Sequence, residues 1–147
     1  MTGTILAVCI SGKKGEQKRP VDEIALVPHV GIPGDAHAGD WHRMLSLLSA
    51  ASVRRLQEKV AVPLLPGAFA ENVLVDGIEV HTLPVGTKLR VGSALCEVTQ
   101  IGKECHNDCA IKQAAGKCVM PTEGIFAIVL EEGTICPGDE IRLEETL

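Results

Sequence analysis

Aromatic residues are scarce in this chain of 147 residues, since one tryptophan, two phenylalanines and no tyrosine make up only 2% of it. Hydrophobic residues nevertheless account for 46%, so the core is expected to consist of aliphatic side chains. The same scarcity leaves no aromatic platform on which single-stranded bases could stack. The formal net charge of −5 also lacks the basic excess typical of nucleic-acid-binding proteins, and we expect no nucleic acid as partner.

Long hydrophobic runs are missing as well. Residues 1–14 contain one short apolar stretch that no basic segment precedes, which predicts neither a signal peptide nor a membrane span. We therefore expect a cytoplasmic protein, in which the six cysteines are thiols, ligands or catalytic groups rather than disulfide partners. The length predicts a single domain over residues 1–147.

Common metal-binding motifs are absent too. The sequence contains no H-E-x-x-H, and Cys105, Cys109 and Cys118 follow a C-x3-C-x8-C spacing that is looser than the paired C-x2-C typical of zinc sites. Sulfur chemistry is therefore favoured for this cysteine segment, residues 101–120. A structural zinc site that uses these three cysteines and His106 remains an alternative.

Short strand patterns separated by turns run through most of the chain. One amphipathic helix is predicted after Ser49, because Val53, Leu56 and Val60 recur at helical spacing, and a second short helix is possible at residues 110–115. Cys9 and Cys96 belong to apolar strand patterns and are expected to be buried and inert. Seven or eight strands with so little helix predict a mainly β, barrel-like domain. The clearest strand patterns cover residues 4–10, 23–28, 73–75, 88–91, 94–101, 125–130 and 139–143.

Two loops add polar groups to this scaffold. Residues 12–22 carry Lys13, Lys14, Lys18 and Arg19, which form either a solvated surface or a grip for a phosphate. Residues 29–43 read HVGIPGDAHAGDWHR and contain three glycines, three histidines and the only tryptophan. This second loop is either a hydrogen-bonded turn capped by its aspartates, Asp35 and Asp40, or a surface that contacts a ligand.

Several blocks, in this order, resemble a small stand-alone MOSC domain: GIPGDAHAGDWHR, SLLS, PGAFAENVLVDGI, VGTKLRVGSALCEVTQIGKECH and EGIFAIVLEEG. MOSC domains form the C-terminal part of molybdenum cofactor sulfurases, and relatives form the molybdenum-binding half of amidoxime-type reductases. The resemblance extends over nearly the whole chain. It implies a β pseudo-barrel with one or two short helices, in agreement with the strand patterns.

The resemblance also implies a functional cysteine, which either carries a persulfide sulfur or binds the molybdenum of a pyranopterin cofactor. The matching position is Cys105, where Lys103 and His106 are neighbours that could lower the thiol pKa. Polar residues at three strand ends are expected to line one pocket around it. Phosphate would be bound by the basic loop, by Arg43 or by backbone amides near Gly34 and Gly39. The predicted cofactor-binding residues are Asp35, His37, Arg43, Glu71, Asn72 and Lys103.

The chain departs from the larger relatives in two respects. It has no room for the pyridoxal phosphate domain of the sulfurases, so a sulfur-donor or cofactor-acceptor protein is the expected partner. The reductases carry a Pro-Arg pair shortly before the cysteine, whereas residues 101–104 read IGKE, which argues against reductase activity. The leading hypothesis is a molybdenum-cofactor-related protein. The alternatives are a non-catalytic cofactor or sulfur carrier, a subunit of a reductase for N-hydroxylated substrates, and a small zinc-binding domain.

Overall fold

The computed structural model describes residues 1–103 and 118–144, which contain ten strands and two α-helices. The strands are β1 (Thr2–Ile10), β2 (Arg19–Val21), β3 (Ile24–Leu26), β4 (Leu45–Ser49), β5 (Val73–Asp76), β6 (Lys88–Val91), β7 (Ala94–Ile101), β8 (Ile125–Glu131), β9 (Gly133–Ile135) and β10 (Glu140–Leu143). The helices are α1 (Ala50–Gln57) and the one-turn α2 (Met120–Glu123). Cys105, His106, Cys109 and the predicted helix at residues 110–115 lie outside the described residues.

Seven strands close into a barrel in the order β10-β6-β7-β8-β4-β5-β1, and β1 pairs with β10 to complete the circle. Closure depends on β1, whose two halves pair with different strands along one edge. Its first residues pair with β10 through Thr2 and Arg142, whereas its last residues pair with β2 through Ile10 and Arg19. Because β1 pairs with β5 along its other edge, both edges are hydrogen bonded.

The burial of β1 changes halfway along the strand. Gly3 and Ile5 face inward while Thr4 and Leu6 face outward, as expected for a strand with one solvated face. A register irregularity between Ile5 and Ala7 then changes the alternation, and the residues from Ala7 to Cys9 are all buried. Cys9 and Ala7 form a small cluster with Ala50 of α1, so the helix covers the outer face of this half of the strand.

One pair of neighbouring strands in the barrel is parallel. β4 is followed by α1 and returns as β5, and a crossover of this kind is what parallel pairing requires. Asn72, just before β5, joins three strands: its Oδ1 accepts from Ser46 N at 3.0 Å and its Nδ2 donates to Cys9 O at 3.1 Å. Ser49 precedes α1 as its N-cap residue, but its hydroxyl donates to Ile78 O instead of capping the helix.

The interior of the barrel is aliphatic, as the composition predicts. Its main cluster of buried residues consists of leucine, isoleucine, valine, alanine and methionine side chains together with Cys96. Both phenylalanines, Phe69 and Phe126, are buried in a second cluster where α1 and α2 pack on the outside of the barrel. Cys9 and Cys96 are fully buried as predicted, and burial raises the pKa of each thiol to about 12.

The predicted fold class is confirmed: the domain is mainly β, with a closed barrel and two short helices. The hairpin of β6 and β7 about Gly92 and Ser93 and the helix after Ser49 lie where the sequence predicts them. β2, β4 and β9 were not predicted as strands. Among the described residues, no helix is both long enough and apolar enough to cross a membrane.

A tight turn at residues 67–70 supports the loop that precedes β2. Gly67 has a φ of +87° and its carbonyl accepts a hydrogen bond from Lys18 N at 2.9 Å. A Cβ at this position would lie 2.0 Å from Lys18 O, which is far inside van der Waals contact. Only glycine allows the two backbones to approach so closely.

We expect Gly67→Ala to be much more destabilising than Gly86→Ala, a matched control in which the glycine has a φ of +96° and no atom within 4 Å of the added Cβ. Both variants place alanine in left-handed backbone, which costs about 1–2 kcal/mol. Gly67→Ala should lose a further ~1–3 kcal/mol because the Lys18 backbone has to move. Urea unfolding of both variants measures this difference, and equal losses would contradict the close-approach explanation.

Candidate functional site

The loop between β3 and β4, residues 27–44, lies against the end of β7. His42 Nε2 is 3.0 Å from Gln100 Oε1, and because that oxygen can only accept, the His42 ring donates. Thr99 Oγ1 donates to His42 O, and Gln100 Nε2 donates to Gly102 O. The loop is therefore fixed to the strand end that continues through Lys103 into the cysteine segment.

Asp35 organises the first half of this loop from a fully buried position. Its Oδ2 accepts from His37 N at 3.0 Å, which forms the predicted Asx turn, and its Oδ1 accepts from Ser11 N at 3.1 Å. Lys18 Nζ lies 2.8 Å from the same Oδ1. Burial alone would raise the pKa of Asp35, but the hydrogen bond and charge of Lys18 and the two backbone donors hold it below its usual value.

The Lys18 side chain is as buried as its carboxylate partner. Besides Asp35, its ammonium contacts Ser11 Oγ at 3.1 Å and His37 Nδ1 at 3.1 Å. An ammonium group has three N–H donors and no acceptor, so these three contacts use its whole hydrogen-bonding capacity. Ser11 Oγ keeps its own proton for Lys13 O. Lys18 therefore sits in a fully satisfied buried network.

His37 lies between this buried network and solvent, with 21% of its side chain exposed. Burial is the largest cause that lowers its pKa, and the positive charges of Lys18, Lys14 and Lys103 lower it further against the opposing charge of Asp35. The resulting pKa is about 4, so the imidazole is neutral at physiological pH. Lys103 has the smallest of these effects.

Trp41 is the aromatic centre of the site. Its Nε1 donates to His37 O at 2.8 Å, and its ring lies parallel to the His37 ring, with centroids 6.4 Å apart. Lys14 Nζ is 4.6 Å from the Trp41 ring centroid and the Arg43 guanidinium carbon is 4.9 Å from it. Cations are attracted to aromatic faces at such distances, so the tryptophan holds two positive charges close to its ring.

Arg43 is held by aromatic rings rather than by a carboxylate. Its guanidinium carbon lies 5.5 Å from the Phe126 ring centroid as well, and its buried Nε has no hydrogen-bond partner. Within the described ranges, no acidic side chain forms an ion pair with Arg43. A buried donor without an acceptor is costly, so this nitrogen is an unsatisfied polar atom of the site.

Glu71 and Asn72 are buried residues that lie just before β5. The fully buried Glu71 carboxylate accepts from Gly67 N at 2.9 Å and from Phe69 N at 3.1 Å, and so holds the turn at residues 67–70. Burial raises the Glu71 pKa, although these N–H donors and the Lys18 charge oppose the shift. Asn72 is equally buried and its amide is used by Ser46 and Cys9.

The structure thus joins Asp35 and His37 through Lys18, and it places Arg43 over Trp41, whose Nε1 binds the His37 carbonyl. Glu71 is linked to Lys18 through Gly67, Asn72 joins the strands β1 and β4, and the charge of Lys103 acts on His37. The role of each in cofactor binding remains a prediction, as does that of Cys105, which lies outside the described residues. In the described part of the chain, no cluster of three or more His, Cys, Asp and Glu residues could hold a metal ion. Sequence reasoning treated Lys18 as one of several basic loop residues and did not single out Trp41, although its uniqueness in the chain was a usable signal.

These features define a small β-barrel domain with a cationic site beside one strand end. The MOSC domain family matches residues 33–142, and the chain belongs to that family. MOSC domains are in general associated with the molybdenum cofactor.

Individual proteins are similar to this chain in sequence or in fold. The uncharacterized protein YflK from Bacillus subtilis (strain 168) is 27% identical to this chain over an alignment of 145 residues. The alignment covers 90% of this chain and 65% of YflK, so this chain spans about two thirds of the length of YflK. The crystal structure of the YUAD protein from Bacillus subtilis superimposes with a TM-score of 0.79 at 22% identity, covering 96% of this chain and 94% of that one. YiiM from Geobacillus stearothermophilus gives 0.75 at 21% identity, covering 97% and 75%. The shared fold is the evidence from both structures.

The buried ion pair predicts a large effect of Lys18→Met on stability. Methionine fills the space of the lysine stem but leaves the Asp35 carboxylate buried without a counter-ion, which typically costs about 3–5 kcal/mol. Asp35→Asn in the same chain should recover part of this loss by removing the buried charge. Lys14→Met, on the exposed side of the site, serves as the control and should cost below ~1 kcal/mol. Denaturant unfolding decides the order, and equal losses for Lys18→Met and Lys14→Met would contradict it.

The low pKa of His37 predicts a pH dependence of stability. The fold favours the neutral ring, so its contribution is complete above the ordinary pKa of 6.5 and is lost as the pH falls from 6.5 towards 4. Over that range the loss should reach about 3 kcal/mol at 1.36 kcal/mol per pKa unit. Glu71 changes in the opposite sense because its pKa is raised.

The effect of His37 is therefore measured as the difference in free energy of unfolding between wild type and His37→Asn. The asparagine side chain does not titrate and can still accept a hydrogen bond from Lys18. Unfolding free energies of both proteins at several values between pH 4 and 7 give this difference. A constant difference over the whole range would contradict the assignment of a low pKa to His37.

Proposed function

We propose that this protein binds the pyranopterin molybdenum cofactor, carries sulfur as a persulfide on Cys105, or does both. The observation that carries the proposal is that Lys14 and Arg43 both lie over the ring of Trp41, whose Nε1 donates to His37 O, in the loop that is hydrogen bonded to the strand end leading to Cys105. Lys103 precedes that cysteine by two residues, and two residues of extended chain span at most about 7 Å. In this proposal the thiol acts beside these cationic groups.

The residues present fit an anionic, phosphate-bearing cofactor. Arg43 offers a buried Nε–H without an acceptor, and Lys14 and Arg43 carry charges that no carboxylate neutralises within the described ranges. Guanidinium and ammonium groups in such surroundings bind phosphate oxygens well. When bound, the cofactor would supply a molybdenum centre that accepts thiolate sulfur, for which Cys105 is the proposed ligand.

In this proposal, the buried residues Asp35, Glu71 and Asn72 support the binding surface without contacting the cofactor. Asp35 orients Lys18 and, through it, His37. Glu71 holds the turn against which Lys18 rests, and Asn72 joins the strands beneath. Their side chains are buried and their polar atoms are used within the protein, so they support the binding surface instead of contacting the cofactor directly.

A persulfide on Cys105 is favoured by the same charges. A thiolate is the reactive form of cysteine, and nearby cations lower the thiol pKa. Lys103 supplies such a cation, whereas the neutral His37 adds no charge. Sulfur would come from a donor protein or the cofactor would pass to an acceptor enzyme, and we expect such an exchange to take place in the cytoplasm, where thiols remain reduced.

We expect Cys105→Ser to abolish persulfide loading and cofactor binding while the melting temperature changes little. Cys118→Ser should have a much smaller effect, and Cys136→Ser is the control, since the bond of its thiol to Asp139 is remote in sequence from the cysteine segment. The protein is isolated from a molybdate-replete host, and intact mass and elemental analysis report persulfide, molybdenum and zinc. Equal losses from replacing Cys105, Cys109 and Cys118, with unfolding and release of zinc, would establish the structural zinc site instead.

A further inference from the structure

We propose that Lys18 is a positioning residue that holds His37 as its Nε2–H tautomer, so that the ring offers an uncharged hydrogen-bond donor to the oxygen of an anionic ligand. The identity of the donor atom follows from counting protons in the buried network. The ligand-binding half of this inference rests on the proposed function. The tautomer itself does not.

The count begins at the ammonium. Lys18 Nζ has three hydrogens, and its three neighbours within hydrogen-bonding distance are Asp35 Oδ1, Ser11 Oγ and His37 Nδ1. The ammonium cannot accept, so Nδ1 has to do so. A neutral imidazole that accepts at Nδ1 carries its proton on Nε2. The opposite tautomer would direct an N–H at an N–H across 3.1 Å.

The ring cannot escape this arrangement by turning over. Half a turn about the Cβ–Cγ bond would place a carbon of the ring against the ammonium and leave a buried Lys18 donor without an acceptor. Trp41 restrains the ring further, since it lies parallel to His37 and binds the His37 carbonyl. Both orientation and tautomer are therefore set by residues that are themselves fixed.

A second proton on the ring is disfavoured by the charges that face it. Lys18 lies behind the ring, Lys14 comes from the loop after β1, and Lys103 comes from the end of β7. The one carboxylate among these groups, Asp35, is 3.8 Å from Nδ1, which is too long for a hydrogen bond, and its oxygens already accept from three donors. His37 consequently recognises a ligand by donation and not by charge.

The Nε2–H remains available to a ligand in this proposal. No acceptor for it exists among residues 1–103 and 118–144, and a fifth of the side chain is exposed. Lys14 and Arg43 both lie over the ring of Trp41, whose Nε1 binds the His37 carbonyl. Two cations and a neutral donor select an oxyanion, and they reject a group that can only donate, because that group would face an unsatisfied N–H.

The tautomer can be read directly from long-range proton–nitrogen NMR spectra of the wild-type protein. The His37 resonances are assigned by their loss in His37→Asn. At pH 7 we expect an unprotonated Nδ1 and a protonated Nε2, and this pattern should persist to pH 5. In Lys18→Met the ring should become a mixture of tautomers that gains a proton at higher pH. An Nδ1–H tautomer in the wild type, or an imidazolium at pH 6, would overturn the proposal.

The donor role is tested with inorganic sulfate, whose charge is constant between pH 5 and 7.5. Two variants divide the functions of the ring: His37→Asn keeps an acceptor near Nδ1 for Lys18, whereas His37→Gln reaches the Nε2 position with a donor. We expect sulfate to shift the His37 Nε2 signal, and His37→Asn to weaken binding about ten-fold while His37→Gln retains most of it, because hydrogen bonds to charged groups contribute substantially.

The pH profile separates a neutral donor from a charged one. The difference in sulfate affinity between wild type and His37→Asn should stay constant from pH 5 to 7.5, since the imidazole, the amide that replaces it in the variant and the sulfate all keep their charge. A difference that grows as the pH falls through 6.5 would show binding by an imidazolium and overturn the proposal, as would a His37 signal that sulfate does not shift. None of these measurements uses Cys105 or the cofactor. Loss of cofactor binding alongside the expected NMR and sulfate results would therefore count against the proposed function alone.

Discussion

Two opposite charges buried together, Lys18 and Asp35, set the geometry on which the cationic site depends. Removing both from water is unfavourable unless every polar atom of the pair finds a partner. That requirement draws three parts of the chain together: the end of β1 through Ser11, the loop before β2 through Lys18, and the loop of residues 27–44 through Asp35. The network tolerates little displacement, because each short contact satisfies a group that has no access to solvent.

The two cations beside Trp41 are held by a different interaction. Lys14 and Arg43 meet at the ring of Trp41 and not at acidic side chains. Aromatic faces hold cations in place without cancelling their charge, so the full positive field remains available to a ligand. In a chain with a net charge of −5 this local excess is conspicuous. The contrast between a negative molecule and a positive site favours small anions over large polyanions, which the rest of the surface repels.

Much of the scaffold could be predicted from the sequence because its signals are local. The alternation in β6 and β7 and the turn at Gly92 indicate a hairpin without reference to other residues. β4 gives no such signal, since all five of its residues are buried and the run shows no alternation. The residues of the candidate site were harder to predict from the sequence than the strands. Lys18 looks solvated among other lysines, and only its contact with Asp35, seventeen residues further on, shows that it is buried. Contacts of this kind arise from packing between loops, so they produce no regular spacing of residues in the sequence.

The pairing of β1 with β10 has a consequence for the order in which the protein forms. β1 is synthesised before β10, yet the edge of Thr2, Gly3 and Thr4 finds its partners in β10, almost at the other end of the described chain. During translation that edge stays open, and an open edge invites pairing with other chains. The edge of β1 is therefore exposed to such pairing until β10 emerges from the ribosome.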